Sequence, residues 1–98
     1  MDERQIRDHI NRHADAVVDG DMATVMADFS DELKPQAPEL ARMLPQPVVS
    51  AEVESLDVGE EETVAVIRYA GNDTALAIRS HWRAHDDGFE IVAGEPIG

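Results

Sequence analysis

The hydrophobic period of this chain changes once, at the run of prolines that ends with Pro47. Ahead of it, apolar residues recur at every third or fourth position; after it, they recur at every second. The first period belongs to helices and the second to half-buried strands. A chain that makes this switch a single time builds its helices first and its sheet afterwards, which excludes the alternating order of parallel α/β folds. The expected class is α+β, with the helices packed on one face of an antiparallel sheet.

The helical part reads as a hairpin. In "DERQIRDHINRHADAVVDG", Ile6, Ile10, Ala14, Val17 and Val18 form one stripe. Asp2 is placed to cap the start and Gly20 to end the helix, with Asp21 capping a second, shorter one. Met22, Val25, Met26 and Phe29 share a face of that second helix. From Ser30 to Pro47, prolines at 35, 38, 45 and 47 leave only "PELARML" able to turn, with Pro38 in its first turn and Leu40, Met43 and Leu44 as its apolar edge.

Four strands follow. "VVSAEVESLDV" alternates through Val49, Ala51 and Val53, then slips phase to reach Leu56 and Val58, which predicts a bulge near Ser55. "ETVAVIRYA" and "TALAIRSHWRAH" are joined by "GND", where Gly71 and Asn72 are candidates for positive φ, and "DDG" leads into "FEIVAG". Parity divides the side chains between two faces. Ala65, Ile67, Tyr69, Leu76, Ile78, Ser80, Trp82, Ala84, Phe89, Ile91 and Ala93 make the better core and are expected against the helices. Val64, Val66, Arg68, Ala75, Ala77, Arg79, His81, Arg83, His85, Glu90 and Val92 are expected on the outside.

Residues 1–98 fit a single domain, short enough that its core is thin and dimerisation would help it. The formal charge of −13 argues against a phosphate backbone or an anionic lipid surface as partner. There is no cysteine, hence no disulfide, thiolate nucleophile or sulfur-ligated zinc. The start "MDERQIRDHI" is charged from its second residue, and no stretch is long and apolar enough for a bilayer, so the expectation is cytoplasmic.

Two helices joined by "GD", the following "ADFSDEL" and the late "HWRAHDDGFEIVAGEPI" resemble the nuclear transport factor two-like, or SnoaL-like, superfamily. The resemblance implies a cone: a helical hairpin over a strongly curved four-stranded antiparallel sheet, with a pocket between them. Its members include isomerases, dehydratases, cyclases and non-catalytic binding or dimerising modules, so the likeness implies a set of functions rather than one. Isomerases of this kind place a carboxylate base shortly after the segment matching "ADFSDEL". Here that region reads "KPQAPELARML", and its one carboxylate, Glu39, is expected to face solvent.

Within the expected pocket, His13 lies in the apolar stripe between Ile6 and Val17. It is either a general base or hydrogen-bond donor, or a core histidine bonded to backbone or to Ser80. His9, at the stripe's margin, is expected at the surface. Tyr69, Ser80 and Trp82 either join His13 around a small apolar ligand or fill the core. A Ser80–His13 hydrolase lacks the nucleophile-elbow sequence. On the outer face, Arg79, His81, Arg83 and His85 read as a stripe paired with carboxylates such as Glu62 and Glu90. His81 and His85 stand about 13 Å apart along a strand, too far for one metal, and no metal or cofactor is expected. The competing reading of that face is a homodimer interface of Val64, Val66, Arg68, Ala75, Ala77 and Arg79, an arrangement common in the resembled family. The sequence thus points to a module that binds a small apolar ligand or dimerises, and alternatively to an isomerase- or polyketide-cyclase-type enzyme with His13 as base.

Overall fold

The computed structural model describes residues 3–85 and 88–97; the expected cap at Asp2 and turn at Asp86–Asp87 lie outside them. Helix α1 spans Glu3–Asp19 and α2 spans Met22–Ala27. A 3-10 turn over Lys34–Gln36 leads into α3, Ala37–Met43. Strands β1 (Ser50–Val58), β2 (Thr63–Ala70), β3 (Ala75–His85) and β4 (Gly88–Pro96) form an open, curved antiparallel meander in the order β1-β2-β3-β4. The chain is α+β, with its helices packed on one face of the sheet.

The joint between α1 and α2 follows from Gly20. Its φ of 74° is open to glycine at no steric cost, and it lets two amides turn back onto the helix end. Gly20 N donates to the Val17 carbonyl (3.2 Å) and Asp21 N to the Ala16 carbonyl (2.9 Å), the pairing of a Schellman motif. The Asp21 carboxylate then accepts from Thr24 N (3.3 Å) and Thr24 Oγ1 (2.7 Å), capping α2. Pro38 occupies the first turn of α3, as its missing N–H suits.

Ile6, Ile10, Ala14 and Val17 of α1 are buried against Ala65, Ile67, Trp82 and Ile91 of the sheet, with Ile6, Ile10, Ala65 and Trp82 at 0% exposure. Each isoleucine so enclosed contributes roughly 1.5–3 kcal/mol relative to exposure. The bulge expected near Ser55 is present, the β1–β2 register shifting between Val53 and Ser55.

Two local expectations are corrected. In β4 the register against β3 shifts so that Trp82 pairs with Ile91 but His81 pairs with Ala93, leaving Val92 as an extra residue. Ala93 therefore falls on the outer face with His81, and Gly94, opposite Ser80, takes the inner position. A one-residue bulge flips parity where a two-residue slip would preserve it. Gly71, in turn, does not have positive φ. It is held to glycine by space, since a Cβ there would lie 2.7 Å from Pro45 Cβ and 3.1 Å from the Pro47 carbonyl oxygen.

Candidate functional site

The chain leaving α2 is stitched to the sheet at one point. Ile91 N donates to the Asp28 carbonyl (2.6 Å), and Ser30 N donates to the Ile91 carbonyl (2.9 Å), making a parallel bridge between Phe29 and Ile91. This bridge fixes the backbone of Asp28 beneath α1. There the carboxylate, with its side chain 11% exposed, meets two imidazoles: His13 Nδ1 donates to Oδ2 at 2.8 Å, and His9 Nε2 donates to Oδ1 at 2.8 Å. As a carboxylate Asp28 can only accept, so each ring carries a proton on the nitrogen facing it. The protonated position on each ring follows from the bond it makes.

His9 and His13 sit four residues apart on α1 and so stack on the same face. Trp82 lies beneath both, its ring centroid 5.2 Å from that of His13 and 5.7 Å from that of His9, edge to face in each case. Phe89 closes the other side of His9 at 5.4 Å. The imidazoles are thereby held by packing as well as by the carboxylate. His9 is half-buried within this cluster, which corrects the expectation of a surface residue.

A cavity of about 90 Å³ lies between the helical layer and the sheet. Val25 and Met26 of α2, with Leu40 and Leu44 at the end of the proline segment, wall it on the helical side. Ile67, Ile78, Ile91 and Gly94 form the sheet wall, so the β4 bulge contributes by turning a glycine inward. Met22 and Ala41 line the cavity and are themselves exposed, marking where it meets solvent.

Three polar side chains reach this apolar space: His13, Tyr69 and Ser80. Ser80 is fully engaged, donating Oγ–H to the Ala65 carbonyl (3.1 Å) and accepting from Trp82 Nε1 (2.8 Å). Tyr69 is 4% exposed, and its hydroxyl bonds to no protein group among the described residues. Burial pushes its ionisation well above the ordinary tyrosine value, so the group is a neutral hydroxyl. His13 likewise has no protein partner at Nε2 among the described residues. No sealed side-chain nitrogen or oxygen among the described residues lacks a partner, so these two unbonded atoms are not sealed off, and both residues line the cavity.

Of the four sequence candidates, then, His13 and Tyr69 line the cavity and each has a polar atom that no described residue bonds. Ser80 forms part of its wall, and Trp82 is a core residue supporting the imidazoles. Asp28 is the residue that sequence reasoning missed. Glu39 is exposed, as expected. His9, Asp28 and His13 form a chain of hydrogen bonds rather than a ring about a common centre, and no three His, Asp or Glu side chains among the described residues are placed to hold a metal ion.

The outer face is a grid of ion pairs. Arg68 Nε donates to Glu54 (3.0 Å), Arg79 to Glu95 (3.5 Å) and Arg83 Nε to Glu90 (3.0 Å), while His81 bonds Glu62 and lies 3.4 Å from Glu95. Val64 and Val66 are half-buried there, Ala75 is exposed, and Ala77 is 3% exposed within the single chain. No helix among the described residues is long and apolar enough to cross a membrane. No family model, no curated protein and no solved structure matches this chain.

Proposed function

We propose that this chain is a receptor for a small, mainly apolar molecule, bound between the helical layer and the sheet with its polar group on His13 and Tyr69. The observation that carries this reading is a greasy cavity lined by two buried residues, His13 and Tyr69, each with a polar atom that no described residue bonds. Ligand sites are commonly built this way, with apolar walls for affinity and a few placed polar groups for orientation. An unfilled hydrogen bond on a buried group is costly, and a ligand that fills it recovers that cost. A dry apolar cavity of about 150 Å³ accepts benzene, so the space here encloses on the order of four heavy atoms, with the rest of a ligand leaving past Met22. The cavity also lies where the resemblance to nuclear transport factor two-like proteins puts the pocket.

The test is a titration with cyclopentanol followed by amide and methyl NMR. Saturable shifts at Val25, Ile67 and Ile91, abolished by Val25→Phe, are the expected result. Shifts spread over the surface, or undiminished in the filled variant, overturn the reading.

Asp28 favours a second reading, in which the oriented His13 removes a proton from carbon, as in an isomerase- or cyclase-type enzyme. A neutral imidazole with Nδ1–H held by a carboxylate presents a basic Nε2. Deuterium exchange next to the carbonyl of cyclopentanone, catalysed by the protein and lost in His13→Leu, would support it; exchange at the buffer rate would remove it.

A further inference from the structure

We infer that the cavity selects a hydroxyl group, so that its ligand class is the small apolar alcohols, enols and phenols rather than ketones, esters or hydrocarbons. This rests on the cavity being a binding site and specifies what binds there.

The argument starts outside the cavity. Asp28 accepts from His13 Nδ1 and His9 Nε2, one imidazole on each carboxylate oxygen, both at 2.8 Å. With Oδ2 taken up by His13 and Oδ1 by His9, the carboxylate is held in one orientation. In the neutral ring the hydrogen on His13 is therefore confined to Nδ1. The other nitrogen, Nε2, is left as a bare lone pair, an acceptor and not a donor. Tyr69, across the same cavity, brings an O–H that stays protonated because burial disfavours the tyrosinate.

His13 and Tyr69 both line this one small cavity, so a single ligand group is proposed to meet them both. A hydroxyl answers both, donating its hydrogen to His13 Nε2 and accepting from Tyr69. A carbonyl accepts from Tyr69 but sets its own lone pairs against that of Nε2. A hydrocarbon leaves both unfilled. Discrimination of this kind is large, because a site built around a hydrogen bond strands its own buried group when the wrong analogue enters. His9 makes no contact with this cavity and acts through Asp28; it is a positioning residue.

Two measurements on the whole chain test this, both at about pH 8, where an ordinary imidazole is neutral. The first is independent of any ligand: ¹⁵N NMR of the histidine rings. The expected result is a His13 ring protonated at Nδ1 and bare at Nε2. A proton on Nε2, in the other tautomer or in an imidazolium, overturns the inference.

The second compares cyclopentanol, cyclopentanone and cyclopentane, equal in ring size and different in the group they offer. The alcohol is expected to bind about tenfold or more tighter than the ketone, the worth of one well-made hydrogen bond. Tyr69→Phe should weaken both and leave the gap in place, since alcohol and ketone each lose the same donor. His13→Leu should close it while tightening cyclopentane. A folded His13→Leu protein that keeps the alcohol preference overturns the inference, as does a ketone that equals or exceeds the alcohol on the unmodified chain. Either result leaves the binding site itself standing. Failure of all three molecules to bind overturns the binding site and the inference with it.

Discussion

Truncating Trp82 to alanine removes the largest side chain that is fully buried in the chain. Large aromatic truncations in cores cost about 3–5 kcal/mol through lost transfer energy and the cavity left behind. Three features of this site place the change at the upper end. The ring has 0% exposure, it lies edge to face against both His13 and His9, and its Nε1 donates to Ser80 Oγ at 2.8 Å. Edge-to-face contacts are each worth about 0.5–1.5 kcal/mol beyond buried area. A domain of this length has a total stability on the order of 5–10 kcal/mol, so the variant should sit near its unfolding threshold. Trp82→Phe separates packing from hydrogen bonding: it keeps most of the ring, and Ser80 Oγ still donates to the Ala65 carbonyl, so nothing is stranded. That variant should lose about 1–2 kcal/mol. Urea denaturation followed by far-ultraviolet circular dichroism reads both, since the chain's one tryptophan is the residue being changed. A loss within about 0.5 kcal/mol for Trp82→Ala, the size of a surface effect, would mean that the inner face of the sheet has been misassigned.

The remaining predictions concern charge, space and ionisation. Asp28→Ala should cost about 1–3 kcal/mol, mostly through the stranded Nδ1–H of His13, whose side chain is 5% exposed, while His9 can turn to water; an unchanged urea midpoint would show that the two imidazoles do not depend on the carboxylate. Gly71→Ala should destabilise by about 1–3 kcal/mol by overpacking against Pro45 and Pro47, and a neutral or stabilising result would show that the proline segment yields freely. Tyr69, the chain's one tyrosine, has a folded-state value raised by burial. Its contribution is therefore whole below the ordinary value of about 10 and is lost as pH rises through the folded value. Ultraviolet titration should accordingly show no tyrosinate at about pH 10.5 until the protein unfolds, and half-ionisation of the folded protein near 10 would place the hydroxyl in water.

How much of this could be read in advance depends on whether each residue's neighbours carry a period. The stripe of α1 and the alternation of β1 and β2 are unambiguous patterns, so the faces, the Gly20 joint and the bulge near Ser55 followed from them. In β4 the pattern is mute. Phe89, Ile91, Val92 and Ala93 are apolar at both parities, and nothing in that run marks Val92 as the extra residue. Its consequence, a glycine rather than an alanine on the cavity wall, was correspondingly invisible. Asp28 was missed for a different reason. An acidic residue just beyond a short helix, between Ala27 and Phe29, reads as turn chemistry, and its burial depends on the bridge to Ile91, a contact across most of the chain. A signal did exist on α1. Two histidines four residues apart, one within the apolar stripe and one at its edge, share a face and call for a common acceptor.

Asp28 ties the site to the fold through two separate sets of atoms. Its carbonyl receives the Ile91 amide, and its carboxylate receives the imidazoles of α1. Ile91 in turn lines the cavity and pairs with Trp82, on which both imidazoles rest. The hydrogen bonds that orient His13 thus belong to the same contacts that hold the helical hairpin against the sheet. A buried carboxylate bonded to two imidazoles is a costly way to join a helix to a loop, because apolar side chains of similar volume would hold the same elements with no desolvation of charge. What the polar arrangement adds, and apolar packing would not, is an oriented imidazole on the wall of an otherwise greasy cavity. That asymmetry between cost and structural need is the physical reason to look for function at His13 rather than at the better-populated charges of the outer face. Each of those outer pairs keeps its arginine about half exposed, where such bridges contribute little to stability.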